Sequence, residues 1–105
     1  MSGAAPDLVV MHSEALARIE LALASKPQRN GDAFTAATQS LAVYREALIA
    51  AQCEHPAPGD RDRLSTLSAV IAMVIAGHFP LGATNWDDVA QARDWFVGLT
   101  PEVEA

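Results

Sequence analysis

Apolar residues recur every three or four positions in four separate stretches of this chain, which places them on one face of an α-helix. The stretches run from about Asp7 to Lys26, Asp32 to Cys53, Asp60 to Phe79 and Asn85 to Leu99. Proline and glycine separate them, because proline removes a backbone donor and glycine loosens the backbone. The separating residues are Pro27, Gly31, Pro56, Pro58, Gly59, Pro80 and Gly82. The sequence therefore predicts an all-α protein.

A run from Leu64 to Leu81, most of which lies in the third stretch, contains no Asp, Glu, Lys or Arg. A helix that is apolar on every face is buried either in protein or in a bilayer. A membrane span needs about 20 apolar residues, and Ser65, Ser68 and His78 interrupt this run. We therefore expect a core helix, with burial inside an oligomer as the alternative.

The connections between the stretches are short enough to favour antiparallel neighbours. At 105 residues the chain is expected to form one domain. We predict a single antiparallel up-and-down bundle of four helices spanning residues 1–105, with the third helix the most buried.

The start of the fourth helix has the spacing of a capping box. Thr84 precedes Asp87 by three residues, and a carboxylate there suits the positive end of a helix. We expect this pair to cap the helix, whose inner face carries Val89, Ala92, Phe96 and Leu99.

The charge is unbalanced, with 13 acidic against 7 basic residues and a net charge of −6. Most of the excess lies after Cys53. Such a surface repels a phosphate backbone and anionic lipid, so we expect no direct nucleic-acid binding and no membrane binding. The first ten residues lack the basic segment of a signal peptide, which predicts a cytoplasmic location.

The candidate chemical groups are few. His12 and His78 both lie on apolar faces and, if they met inside the bundle, could bind a metal or a small ligand. Neither belongs to a Glu-x-x-His motif, so a structural, hydrogen-bonded role is favoured. Cys53 lies close to His55, but no third residue is identifiable that would orient such a pair for catalysis. We predict no enzymatic activity, no metal and no cofactor.

Several large apolar residues are left over once the inner faces are assigned. Trp86 and Trp95 are nine residues apart and so point to opposite sides of the fourth helix. At most one of them can point directly at the core, unless both lie on the flanks of the helix. An aromatic side chain beside an apolar patch often marks a partner site. We predict a partner-binding face that contains Tyr44, Trp86 and Trp95, with Val43 as a further candidate. The first helix adds an apolar stripe opposite its main face, made of Val10, Ala17 and Leu21.

Four features occur in a defined order along residues 14–99. An Ala/Leu helix includes Ala42–Leu48, a proline-bearing loop spans His55–Gly59, an Ile/Leu-rich helix runs from Leu64 to His78, and the last helix closes with Asp94–Leu99. This order resembles a small alphaproteobacterial family, the flagellar biosynthesis regulator FlaF. The resemblance implies a cytoplasmic, non-enzymatic protein that assists flagellin synthesis or secretion by binding flagellin or a companion regulator.

The expected function is therefore a helical adaptor or secretion chaperone that binds an amphipathic helix of a protein partner in an apolar groove. Two alternatives belong to other classes. One is a bundle that binds a metal or small ligand through His12 and His78. The other is a homo-oligomerisation module, such as a homodimer, without a ligand of its own.

Overall fold

The computed structural model describes residues 7–26, 31–77 and 85–99, and these ranges consist of helices and the turns next to them. The helices are α1 (Leu8–Ala24), α2 (Gly31–Glu54), α3 (Asp60–Gly77) and α4 (Trp86–Val97). The prediction of an all-α protein with four helices is confirmed. Of the helices in these ranges, none combines the length and the apolar character that crossing a membrane requires.

Each helix packs against two others. α1 contacts α2 and α4, and α3 contacts the same two helices from its own side. The inward faces of all four helices meet in one core. The largest side chains that are fully buried there are Ile19, Phe34, Leu41, Tyr44, Leu67, Val70, Val74, Val89 and Phe96.

The third helix buries one face only. Leu67, Val70 and Val74 are fully buried, and this spacing of three and four residues is that of a single helical stripe. On another face Ile75 is 53% exposed, and Ala72 is exposed too. The expectation that α3 is the most buried helix is not confirmed, since α2 alone buries six residues. Part of the apolar run consists of small side chains such as alanine. These can lie in water because each exposes little apolar area.

The helix starts are fixed by side-chain caps. The Asp7 carboxylate accepts hydrogen bonds from two backbone N–H groups in the first turn of α1. At α4 the cap is Asn85, whose Oδ1 accepts from the Asp88 backbone N–H at 3.2 Å while its Nδ2 donates to the Asp88 carboxylate at 3.0 Å. The predicted pairing of Thr84 with Asp87 is therefore wrong by one residue, because Asn85 supplies both the acceptor and a donor. Thr84 itself lies outside the described residues.

Candidate functional site

His12 is a structural residue at the junction of α1 and α4. It is 3% exposed, and its Nε2 lies 2.7 Å from the carbonyl oxygen of Phe96. A carbonyl can only accept, so Nε2 carries the proton and donates it. The imidazole also stacks on the Phe96 ring, with centroids 4.1 Å apart and planes 16° apart. The same carbonyl accepts a backbone hydrogen bond from the Leu99 N–H at 3.0 Å, so His12 supplies a second donor to a carbonyl in the last turn of α4.

The structure offers no support for a metal centre in the ranges it describes. Among those residues there is no group of three or more His, Cys, Asp and Glu side chains that could hold a metal ion. His78, the proposed companion of His12, lies outside them. Cys53 and His55 are both exposed at the end of α2.

Tyr44 belongs to the core rather than to a surface. It is 1% exposed, and its ring meets the rings of His12 and Phe96 edge-on, at centroid distances of 5.7 and 5.6 Å. Burial raises the pKa of its hydroxyl from 10.0 to about 12, and the nearby Arg63 charge offsets part of that rise. In this conformation the ring offers a partner no surface, so its predicted place on a binding face needs correction.

The two tryptophans differ in exposure. Trp86 is partly buried against the core, with its ring 5.9 Å from that of Phe34. Trp95 is 43% exposed. It lines a cavity of about 340 Å³ together with Thr66 of α3 and with Gly98 and Leu99, which follow α4.

Val43 lies in a different groove. Its side chain is 58% exposed, and it lines a recess of about 240 Å³ between α1 and α2 with Met11, Glu14 and Arg18. The four predicted site residues therefore do not form one surface, because Tyr44 is buried, Trp86 packs beside the core, and Trp95 and Val43 belong to different helix pairs.

The apolar stripe of α1 is exposed, as its helical spacing indicates. Val10 is 51% exposed, Leu21 is 61% exposed, and Ala17 between them is also exposed. This stripe is therefore an apolar surface that a partner can reach, as the Trp95 cavity is.

A further cavity, which we call the end cavity, was not predicted. It measures about 600 Å³, and its walls include Leu8, Tyr44, Gln52, Arg63 and Leu99, contributed by all four helices or the residues just beyond them. The side-chain Nε2 and Oε1 of Gln52 are buried, and neither has a hydrogen-bond partner among the residues that the structure describes. The one sequence signal is that Gln52 follows Leu48 by four residues, so a polar group continues the apolar face of α2.

Comparison of the chain with family models, curated proteins and solved structures gave no match.

Proposed function

We propose that this chain is a non-enzymatic helical adaptor, of the secretion-chaperone type, that binds an amphipathic helix of a protein partner in the groove between α3 and α4. The observation that carries the proposal is the state of Trp95, whose ring is 43% exposed beside an open cavity of about 340 Å³. Tryptophan residues next to a recess are typical of the positions that dominate binding energy. They combine a large apolar area with few rotatable bonds.

The groove suits an apolar side chain from a partner helix. Gly98 has no side chain, so that end of the recess stays open beside the Trp95 ring. A partner residue inserted there would cover the ring and leave its own helix lying along the groove. Asp62 lies one turn before Thr66 on α3 and is exposed. Together with the net charge of −6, this favours a partner helix with basic residues at its edges.

In this proposal the four helices run alternately up and down. The end cavity supports the arrangement, because it gathers Leu8 from the start of α1, Gln52 from near the end of α2, Arg63 from near the start of α3 and Leu99 just after α4. A bundle of this kind presents long grooves between neighbouring helices, which is the shape that receives another helix.

For the partner, we propose flagellin or a companion regulator in the cytoplasm. The support is the resemblance of residues 14–99 to the flagellar regulator family, through the order of their helices and the proline-bearing loop. The non-enzymatic character is supported by the exposed positions of Cys53 and His55. Two exposed side chains do not make the enclosed nucleophile–base pair of an active site.

A second candidate function is self-association through α1. The observation that favours it is the exposure of Val10 and Leu21 on one stripe of that helix. Sedimentation across protein concentration measures it directly. A mass that doubles with concentration in the native chain, but not in Leu21→Ala, would assign the stripe to a homodimer.

The test of the main proposal is calorimetric titration of the chain with flagellin purified from the organism that encodes it. Trp95→Ala should weaken binding by about 30-fold, which corresponds to about 2 kcal/mol for a dominant contact residue. Leu21→Ala is the matched control, an exposed apolar residue on α1, and should change the affinity by less than about 3-fold. The reverse ranking would move the site to the α1 stripe, and equal affinities for all three proteins would overturn both surfaces.

A further inference from the structure

The groove between α1 and α2 carries one charge of each sign among side chains that are otherwise uncharged. Glu14 and Arg18 line it, and Met11 and Val43 are its larger apolar members. Both charged side chains are exposed, and neither forms an ion pair with another residue in the described part of the chain. The two charges, four residues apart on one helix, are therefore available to a neighbouring molecule.

The α1 stripe runs beside this groove. Val10, Ala17 and Leu21 follow one another at spacings of seven and four residues, which places them on one face of the helix. Glu14, four residues after Val10, belongs to the same face. Val10 and Leu21, near the two ends of the stripe, are more than half exposed. Ala17 between them has only a methyl group, so a second helix can approach closely there.

A second copy of the chain complements this surface when the two α1 helices run antiparallel. One register sets Val10 opposite Leu21 of the second copy and Leu21 opposite its Val10, which is the reciprocal contact of an isologous interface. The same register brings Glu14 within one residue, about 1.5 Å along the helix, of Arg18 in the second copy. The two-fold axis then lies in the interface and crosses the helices, so the α2 sides of both copies come together and both cross pairs can form.

A parallel pairing of the same two helices lacks this complementarity. It would bring Glu14 level with Glu14 of the second copy, and Arg18 level with its Arg18. Like charges that face each other across an interface weaken binding. The order of the two charges along α1 therefore selects the antiparallel arrangement.

We propose that the chain forms an antiparallel homodimer through α1 and the groove between α1 and α2. Val10 and Leu21 make the reciprocal apolar contacts, and two ion pairs join Glu14 of each copy to Arg18 of the other. The inference rests on the self-association given above as the second candidate function, and it adds the orientation of the copies and the residues that pair.

The dimer leaves the Trp95 groove of each copy free. α1 packs on α2 and α4, and α3 packs on the same two helices, so the groove between α3 and α4 lies on the opposite side of the bundle from the dimer interface. The assembly therefore offers two identical partner sites on its outer sides, and a partner that is itself multivalent gains avidity from them.

The experiment is sedimentation equilibrium of the full chain from micromolar to millimolar concentration. The mass of the native chain should rise from 11.1 kDa towards twice that value. Glu14→Arg should weaken the dimer by at least about 10-fold, because both cross pairs then join like charges. The double variant Glu14→Arg with Arg18→Glu exchanges the two charges and should return the affinity to within about 3-fold of the native value.

Asp62→Arg is the matched control. It makes the same change in net charge as Glu14→Arg at an exposed position of α3, which takes no part in the groove between α1 and α2, and it should leave the dimer affinity unchanged. Thermal unfolding followed by circular dichroism shows that each variant is folded. In a Trp86→Phe background, acrylamide should quench Trp95 equally in the monomer and in the dimer.

The possible failures are distinguishable. A native chain that stays monomeric at millimolar concentration would overturn both this inference and the second candidate function. A dimer that Leu21→Ala disrupts, but that Glu14→Arg leaves intact or the double variant fails to restore, would keep self-association and overturn the antiparallel pairing. Protection of Trp95 from acrylamide in the dimer would overturn the two outward partner sites.

Discussion

His12 and Phe96, 84 residues apart in sequence, are joined by a hydrogen bond of 2.7 Å and by stacked rings. The contact connects the first turns of α1 to the last turn of α4. It therefore fastens together the two helices that lie furthest apart along the chain, and it does so next to the buried ring of Tyr44.

Replacing His12 with alanine should lower the free energy of unfolding by about 3 kcal/mol, since the change removes a buried hydrogen bond and leaves a cavity against Phe96. Urea denaturation followed by circular dichroism measures the loss. Ser13→Ala, at the exposed neighbouring position, should change stability by less than about 0.5 kcal/mol. A loss below about 1 kcal/mol for His12→Ala would contradict the structural role.

The cap of α4 can be tested by substitution at adjacent positions. Asn85→Ala should cost about 1 kcal/mol of unfolding free energy, because the Asp88 backbone N–H loses its acceptor. Thr84→Ala should cost much less if Asn85 is the capping residue. Urea denaturation of the two variants side by side decides between them, and a larger loss for Thr84→Ala would restore the pairing inferred from the sequence.

The buried and exposed faces of α3 can be distinguished by placing the same charge on each. Val70→Asp places an unpaired carboxylate in the core and should cost about 3 kcal/mol or more. Ala72→Asp puts the same charge on the exposed side of the same helix and should cost less than about 1 kcal/mol. Thermal unfolding of both variants provides the measurement, and similar losses would mean that α3 is buried all round.

The Tyr44 hydroxyl makes stability depend on pH in the alkaline range. Burial raises its pKa from 10.0 to about 12, so between these values the unfolded chain ionises while the folded chain stays protonated. The folded state then binds more protons, and its stability falls as pH rises from about 10 to about 12. Below pH 10 the contribution is fully present.

Tyr44→Phe should remove that part of the alkaline decline, since lysine and arginine titration remains in both proteins. Tyr44 is the only tyrosine in the chain, so the ultraviolet absorbance of tyrosinate reports on it alone. A titration midpoint near 10 in chain that is still folded would show that the hydroxyl is solvated.

The positions of the helices followed directly from the sequence. Apolar residues that recur every three or four positions, in stretches bounded by proline and glycine, are typical of α-helices and of few other structures. The periodicity also identified Val89, Ala92 and Phe96 as inward-facing, and all three are buried. It was less informative for α3, whose second half, from Ala69 to Gly77, contains no polar side chain that would mark the outer face. Alanine at positions such as 72 is compatible with either environment, so only the packing of neighbouring helices distinguishes them.

The candidate site was harder to predict. Spacing showed that Trp86 and Trp95 face different ways, but which of them is exposed depends on the partners that α2 and α3 supply, such as Phe34 beside Trp86. Tyr44 lies on the apolar seam of α2, yet its aromatic character suggested a contact residue. The end cavity was not predicted because its walls come from residues far apart in sequence. A single glutamine near the end of a helix does not indicate that its amide is buried without a hydrogen-bond partner.

The most direct test of the adaptor proposal is the fluorescence of Trp95 alone, measured in a Trp86→Phe variant with and without flagellin. In the free chain the emission should be at long wavelength and strongly quenched by acrylamide, because the ring is 43% exposed. Addition of flagellin should shift the emission to shorter wavelength and protect it from acrylamide, in proportion to the complex formed. Binding of flagellin that leaves both the emission and the quenching of Trp95 unchanged would contradict the account.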